Sequence, residues 1–226
     1  MSVITGAGLK EIKEGTAVYT KNGEEDTLDG DAILLATGRG PNTEGLHAER
    51  AGVELTKRGA VVTDKHLRTT AENIWAAGDV CGNLQFTYIS LDDSRIILSD
   101  MQGDGSRTTE NRGAFAYSVF MEPSFSRAGL SEKEAADKGL NYRVVRMNTD
   151  MIPKAKVLRK TTGMLKAVID KDSGKIFGAA LFCPESYEII NMVKLAMDHD
   201  LDYTVLRDFI YTHPTMSEGL NDLFAL

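Results

Sequence analysis

The sequence predicts an α+β fold whose C-terminal half is a mixed or antiparallel sheet packed by helices. Two β-prone runs, residues 165–170 and 175–182, flank Asp172-Ser173-Gly174, which is typical of a hairpin turn. Apolar side chains then recur at helical spacing from Glu185 to His199. In the N-terminal half, short strand-like runs precede another helical stretch, so we expect part of an α/β segment there.

The N-terminal half begins with a predicted β meander. Residues 16–20 are β-prone, and Asn22-Gly23 is a hairpin signal because both positions tolerate positive φ. The uninterrupted apolar run at 32–37 predicts a strand covered on both faces. Further predicted elements are short strands at 60–63 and 74–80, a helix at 88–101, and a linker at 103–113 that we interpret as a domain boundary.

The C-terminal half has the clearer signals for a packed domain. Strands are predicted at 116–120 and 142–147, and Ser131 with Glu134 forms a capping box that opens a helix. The apolar residues of the 185–199 helix go most of the way round its axis, which implies burial on more than one side. A second subunit is the expected second cover. A shorter amphipathic helix is predicted over 215–226.

Composition excludes several classes of protein. The chain has 226 residues and a net charge of −7, which argues against binding to nucleic acid or anionic membrane surfaces. No apolar run approaches the roughly 20 residues that a membrane span needs, and the first residues lack the features of a signal peptide. The two cysteines lie far apart and form neither a disulfide framework nor a metal knuckle. We therefore expect a cytoplasmic protein without a metal site.

A first candidate site lies where a predicted strand ends in Gly78-Asp79. An acid at the carboxyl edge of a strand can hold a ligand hydroxyl. The helix start at Phe86-Thr87 offers free N–H groups and the positive end of a helix dipole. Together with Gly38 in the turn after residue 37, these residues predict an edge that binds a cofactor.

A second candidate site is the hexapeptide at 213–218, His-Pro-Thr-Met-Ser-Glu. Pro214 either forms a cis bond or begins a helix, and both fix the approach of His213. Glu218 is near enough to accept a proton from the imidazole and to hold its tautomer. The alternative is a plain capping box, with Thr215 as the N-cap and Glu218 at N3, and local spacing alone favours it.

Other motifs predict no chemistry. Gly6-Ala7-Gly8 lacks the third glycine and the preceding strand of a dinucleotide fingerprint, so we interpret it as an ordinary loop. Three histidines have no partners at ligand spacing and are expected at the surface, whereas the cysteines are expected to be packing residues; these are His47, His66, His199, Cys81 and Cys183.

In order and spacing, three motifs resemble the C-terminal portion of the FAD-dependent pyridine nucleotide-disulfide oxidoreductases, which include glutathione reductase, lipoamide dehydrogenase and mercuric reductase. They are ATGRGPN at 36–42, NIWAAGDV at 73–80 and HPTMSE at 213–218. The stretch LQFTYISLDD at 84–93 is most similar to the bacterial reactive-chlorine-resistance branch of that family.

The resemblance implies three segments and a set of roles. Residues 1–37 would be the tail of an NAD(P)H-binding domain, 38–105 a segment that contacts FAD, and 106–226 an interface domain that forms a homodimer. His213 and Glu218 match the acid–base pair, which in this family serves the opposite subunit. The expected cofactor-binding residues are Gly38, Gly78, Asp79, Phe86 and Thr87.

The chain departs from the family pattern in three ways. It has no Cys-x-x-x-x-Cys pair, no N-terminal FAD fingerprint and no intact NAD(P)H-binding βαβ unit. We therefore expect a C-terminal fragment of an oxidoreductase that reduces a disulfide or a metal ion. The alternative is a non-catalytic dimerisation module.

Overall fold

The computed structural model describes residues 2–226 and divides them into two compact units. Unit 1 comprises the residues up to Asp64 together with Arg68–Leu91. Unit 2 comprises Lys65–Leu67 and Asp92–Leu226. Within residues 2–226, no helix has both the length and the apolar character that crossing a membrane requires.

Unit 1 opens with the expected β meander. Its strands β1 (Ala7–Lys13), β2 (Thr16–Lys21) and β3 (Glu24–Asp29) form an antiparallel sheet in sequence order. Asn22 and Gly23 turn the chain with φ of 54° and 87°, as hairpin chemistry demands. The interpretation of Gly6-Ala7-Gly8 as a loop was wrong from Ala7 onward, because Ala7 and Gly8 pair with Lys21 and Thr20 in the sheet.

The strand predicted at 32–37 does not form in the described chain. These residues are irregular and exposed, and Leu34 exposes 90% of its surface. An apolar strand needs hydrogen-bonding neighbours and a cover on each face, and no described residue supplies them. The runs at 60–63 and 74–80 also fall short of strands: each makes one isolated bridge, and Gly78–Cys81 forms a 3₁₀ turn.

The helix predicted at 88–101 is confirmed as α1 (Thr87–Gln102). After it, the segment 103–113 holds one short 3₁₀ turn at Thr109–Asn111. Arg112 within this segment donates to the buried carboxylate of Asp93 at 2.7 Å.

Unit 2 is built on a five-stranded antiparallel sheet of order β4-β5-β8-β7-β6. Its strands are β4 (Ala116–Val119), β5 (Phe125–Gly129), β6 (Tyr142–Asn148), β7 (Met164–Asp170) and β8 (Ile176–Phe182). Its own helices are α2 (Glu132–Asp137), α3 (Pro153–Leu158), α4 (Ser186–Asp198), α5 (Tyr203–Asp208) and α6 (Gly219–Ala225). The predicted hairpin is β7–β8, so the α+β fold class is confirmed.

The core of unit 2 lies between the sheet and the helices α4 and α6. Alternate residues of β7, among them Leu165 and Ile169, are fully buried there. Helix α4 buries one face against the core of unit 2, and the apolar residues on its other side are the ones for which a second subunit is the expected cover. Tyr187 and Leu195 lie on its exposed side, and Leu195 exposes 58% of its surface.

The capping box at the start of α2 forms as predicted and gives the fold a pH dependence. The Ser131 N–H donates to Glu134 at 2.7 Å, and the Glu134 N–H donates to the Ser131 hydroxyl at 3.1 Å. The hydrogen bonds from Ser131, with Arg127 nearby, lower the pKa of Glu134 from 4.5 to about 2. A depressed pKa in the folded state means that this carboxylate stabilises the fold above its unfolded pKa.

We expect Glu134→Gln to lower the urea midpoint of unfolding above a pH of about 4.5 and to have a shrinking effect as the pH falls toward about 2. The reason is that protonation removes the same charge-assisted hydrogen bonds that the substitution removes. Midpoints measured by circular dichroism across this range check the prediction, with Glu188→Gln on the exposed side of α4 as the control. An effect of Glu134→Gln that is constant with pH would contradict it.

Candidate functional site

The imidazole of His213 and the carboxylate of Glu218 form a hydrogen-bonded pair. His213 Nδ1 lies 3.1 Å from Oε2 and 3.3 Å from Oε1 of Glu218. The histidine side chain is 71% exposed, whereas the glutamate side chain is only 14% exposed. The ring therefore presents its Nε2 edge outward while a shielded carboxylate holds its other nitrogen.

The turn between the two residues is built by Thr215. Its N–H donates to Glu218 Oε2 at 3.1 Å, and its hydroxyl donates to the carbonyl of Thr212 at 2.8 Å. The His213-Pro214 bond is cis, so of the two roles considered for Pro214 the structure has the cis bond. Helix α6 begins at Gly219 rather than at the predicted Thr215.

The structure contains parts of both interpretations of this hexapeptide. One oxygen of Glu218 accepts from the Thr215 backbone, as in a capping box, and from the His213 ring. Thr215 does not serve as a helix N-cap, because the residue that precedes α6 is Glu218 itself. A neutral ring that donates from Nδ1 to a carboxylate leaves Nε2 free to accept a proton, and the charged ring can return it.

The second candidate site lies wholly in unit 1. Gly78 has a φ of 74°, and a Cβ there would lie 2.6 Å from the Ser90 hydroxyl, so only glycine fits. Asp79 follows it with a partly exposed carboxylate, and Arg39 forms an ion pair with that carboxylate. The Arg39 contact was missed from sequence, although opposite charges in the two flanking motifs were a visible signal.

The remaining predicted cofactor residues are placed as follows. Gly38 has a φ of 99° and open space where a Cβ would stand. Thr87 is exposed and is the first residue of α1, where a helix cannot satisfy its own N–H groups. Phe86 precedes it, is half-buried, and its carbonyl accepts from the N–H groups of Ile89 and Ser90. These residues share unit 1 with Asp79.

The two cysteines are buried thiols. Burial raises the pKa of Cys183 to about 12, and the nearby charge of Glu185 acts in the same direction. Cys81 is buried in unit 1. Across residues 2–226, no cluster of three or more His, Cys, Asp or Glu side chains is arranged to hold a metal ion.

Two family models match the sequence. The model for the pyridine nucleotide-disulphide oxidoreductase dimerisation domain matches residues 115–224, and the model for pyridine nucleotide-disulphide oxidoreductases matches residues 1–94. Among curated proteins, the probable pyridine nucleotide-disulfide oxidoreductase RclA of Escherichia coli is 47% identical over 226 residues, all of this chain and 51% of that protein. The mercuric reductase of Staphylococcus aureus is 34% identical over 97% of this chain and 41% of its own length.

Two solved structures superpose on this chain and share its fold. The Cu(II) complex of the HOCl-induced flavoprotein disulfide reductase RclA from Escherichia coli superposes with a TM-score of 0.86 at 47% identity, over 95% of this chain and 48% of that one. LpdA from Mycobacterium tuberculosis superposes with a TM-score of 0.80 at 23% identity, over 94% of this chain and 46% of that one, and shows the shared fold alone. The chain thus spans about half the length of the relatives that it matches.

We expect Cys183 to be unreactive in the folded chain. At a pH of about 8, roughly one in ten thousand thiols with a pKa near 12 is ionised, and burial also blocks access of a reagent. In a Cys81→Ser variant, Ellman's reagent should detect no thiol in buffer and one thiol in urea. Adding Ser106→Cys at an exposed position supplies the reactive control. Rapid labelling of Cys183 in buffer would contradict the prediction.

Proposed function

Because the chain belongs to the pyridine nucleotide-disulfide oxidoreductase family, we propose that it is the C-terminal part of an FAD-dependent NAD(P)H oxidoreductase, with His213 and Glu218 as its acid–base pair. The observation that carries this proposal is the contact of 3.1 Å between Nδ1 of an exposed imidazole and a shielded carboxylate. That arrangement leaves the outward nitrogen, Nε2, for proton transfer to a substrate.

The chemistry of such an enzyme requires a proton donor at the sulfur. Reduction of a disulfide breaks one S–S bond with two electrons and releases two thiolates, which take up two protons. FAD, when bound, would supply two-electron redox chemistry between NAD(P)H and a redox cysteine pair, and this chain does not contain such a pair. His213 donates from Nε2 to the departing thiolate, and Glu218 stabilises the charged ring before that step.

Part of an FAD molecule fits the residues of unit 1. Asp79 offers carboxylate oxygens for a ribityl hydroxyl, and Gly78, whose Cβ position is taken by the Ser90 side chain, packs the turn before Asp79 against α1. The first N–H groups of α1 at Thr87, with Phe86 beside them, suit the oxygens of the flavin pyrimidine. Within residues 2–226, no glycine-rich turn between a strand and a helix offers a cradle for the pyrophosphate.

We assign the segments accordingly: 1–37 belongs to the NAD(P)H-binding domain, 38–105 contacts the flavin with Gly38 at its start, and 106–226 is the interface domain. The electron acceptor is a disulfide or a metal ion. Relatives that carry the names disulfide reductase and mercuric reductase support these two classes.

A second candidate function is a dimerisation module without activity of its own. It is favoured by the lack of a Cys-x-x-x-x-Cys pair and by the burial of both cysteines. Both functions require a homodimer formed through unit 2. The exposed apolar side chains Tyr187 and Leu195 on α4, with the fully exposed Phe120 after β4, support such a contact.

We expect Leu195→Glu to weaken the homodimer by at least about tenfold, because a charge would be buried in an apolar contact. Sedimentation velocity at micromolar concentrations measures the change. Leu28→Glu is the matched control, since Leu28 in β3 has a similar exposed fraction, 57%. A chain that is monomeric before any substitution would contradict both candidate functions.

In a longer protein that contains this chain, we expect His213→Ala to slow disulfide turnover by about 10²- to 10⁴-fold and to leave the flavin content unchanged. The reason is that in the proposed scheme the ring moves a proton and is not one of the residues that hold the cofactor. Stopped-flow kinetics and flavin absorbance measure the two quantities, and His199→Ala at an exposed position is the control. Loss of flavin with the His213 substitution would show a structural role instead.

A further inference from the structure

One side chain ties the segment that carries His213 to the helix that follows Glu218. Asn221, in the first turn of α6, directs its Nδ2 at three backbone carbonyls. The distances are 2.7 Å to Arg207, 2.9 Å to Phe209 and 3.3 Å to Leu206. Because carbonyl oxygens only accept hydrogen bonds, the amide nitrogen must be the end that faces them.

These carbonyls lie where α5 ends and where the segment 209–213, here called the strap, begins. The last carbonyls of a helix have no partners within it, so a side chain from elsewhere can bind them. Within the strap, Ile210 is almost fully exposed and Phe209 is more than half exposed, whereas Tyr211 is partly buried against the core of unit 2. Tyr211 adds one hydrogen bond, from its hydroxyl to Leu206 O at 3.1 Å.

The strap is therefore held at both ends: Asn221 binds its start, and Thr215 binds Thr212 and Glu218 at its end. His213 stands at the end of the strap, and Glu218 is the residue before α6. Helix α6 is fixed by Leu220 and Leu223, which are fully buried in the core of unit 2. The Asn221 amide, which is part of this fixed helix, holds the first residue of the strap through its hydrogen bond to the carbonyl of Phe209.

We propose that Asn221 is a positioning residue for His213, one that sets the distance from the imidazole to Glu218 and thereby its tautomer. The functional meaning of this inference rests on the proposed acid–base role of His213. A plain helix-capping role would stabilise α5 without changing which ring nitrogen carries the proton, so the tautomer separates the two roles.

The experiment uses the 226-residue chain with ¹⁵N-labelled histidine at a pH of about 10, well above the usual pKa of an imidazole. Side-chain ¹⁵N shifts report the tautomer of each of the four histidines. The unsubstituted chain should show His213 with its proton on Nδ1. Asn221→Ala should abolish that preference, because the three hydrogen bonds that hold the start of the strap are lost while Glu218 remains in place. Asn191→Ala is the matched control, since its amide binds a single carbonyl, that of Tyr187, at 2.9 Å on α4.

A second variant, Asn221→Asp, keeps the size of the side chain and removes the donor, so it tests the same contact if the alanine variant is poorly folded. Retention of the Nδ1–H tautomer in a folded Asn221 variant would overturn the positioning role and leave the proposed function intact. A His213 ring with its proton on Nε2 in the unsubstituted chain would overturn the pair itself and both proposals with it.

Discussion

The carboxylate of Glu218 is the constraint on which the candidate site depends. It is shielded from solvent, so it needs hydrogen-bond donors, and it takes them from the Thr215 backbone and the His213 ring. The next residue, Gly219, packs so closely on Ile152 that a Cβ would lie 2.7 Å from it. An exposed imidazole thus takes its position from the buried core of unit 2 through one acidic side chain.

Local patterns predicted the strands β4, β6, β7 and β8 and the helices α2, α4 and α6 because these elements find their partners within the chain. They did not predict β5, α3 or α5. The turn at Asp172-Ser173-Gly174 joins β7 and β8, and Ser131 caps α2 as its spacing predicts. The run at 32–37 failed for the same physical reason. Its apolar pattern is that of a strand with two covered faces, but no strand among residues 2–226 pairs with it. An apolar run of this kind forms a strand only where other strands pair with it and other residues cover its faces, and the run itself does not supply either.

Only part of the candidate site could be predicted from the sequence, because the same residues at 213–218 suit two kinds of local structure. Sequence spacing places Glu218 within reach of both His213 and Thr215. By itself, this spacing favours a capping box with Thr215 over a functional pair with His213. The structure shows one carboxylate oxygen that accepts from both, so local chemistry could not have separated the two interpretations. Only the order of three distant motifs favoured the proposed acid–base role over the capping box. Asn221 and Arg39 were missed because their contacts join segments that no local period relates.

The two units differ in how much apolar material they enclose, and this difference bears on the choice between an enzyme and a dimerisation module. Unit 1 has a small apolar cluster of Ala48, Val53 and Val61, and its strands β1 and β3 are exposed along their whole length. Unit 2 has a continuous core from the sheet through α4 to α6. Burial of apolar surface is the main source of stability. The core of unit 2 therefore holds His213 and Glu218 more firmly than the small cluster of unit 1 holds the residues around Asp79. A chain that binds no flavin would therefore still present the hydrogen-bonded pair of His213 and Glu218. The property that distinguishes an enzyme from a dimerisation module is therefore thiol turnover in a longer protein.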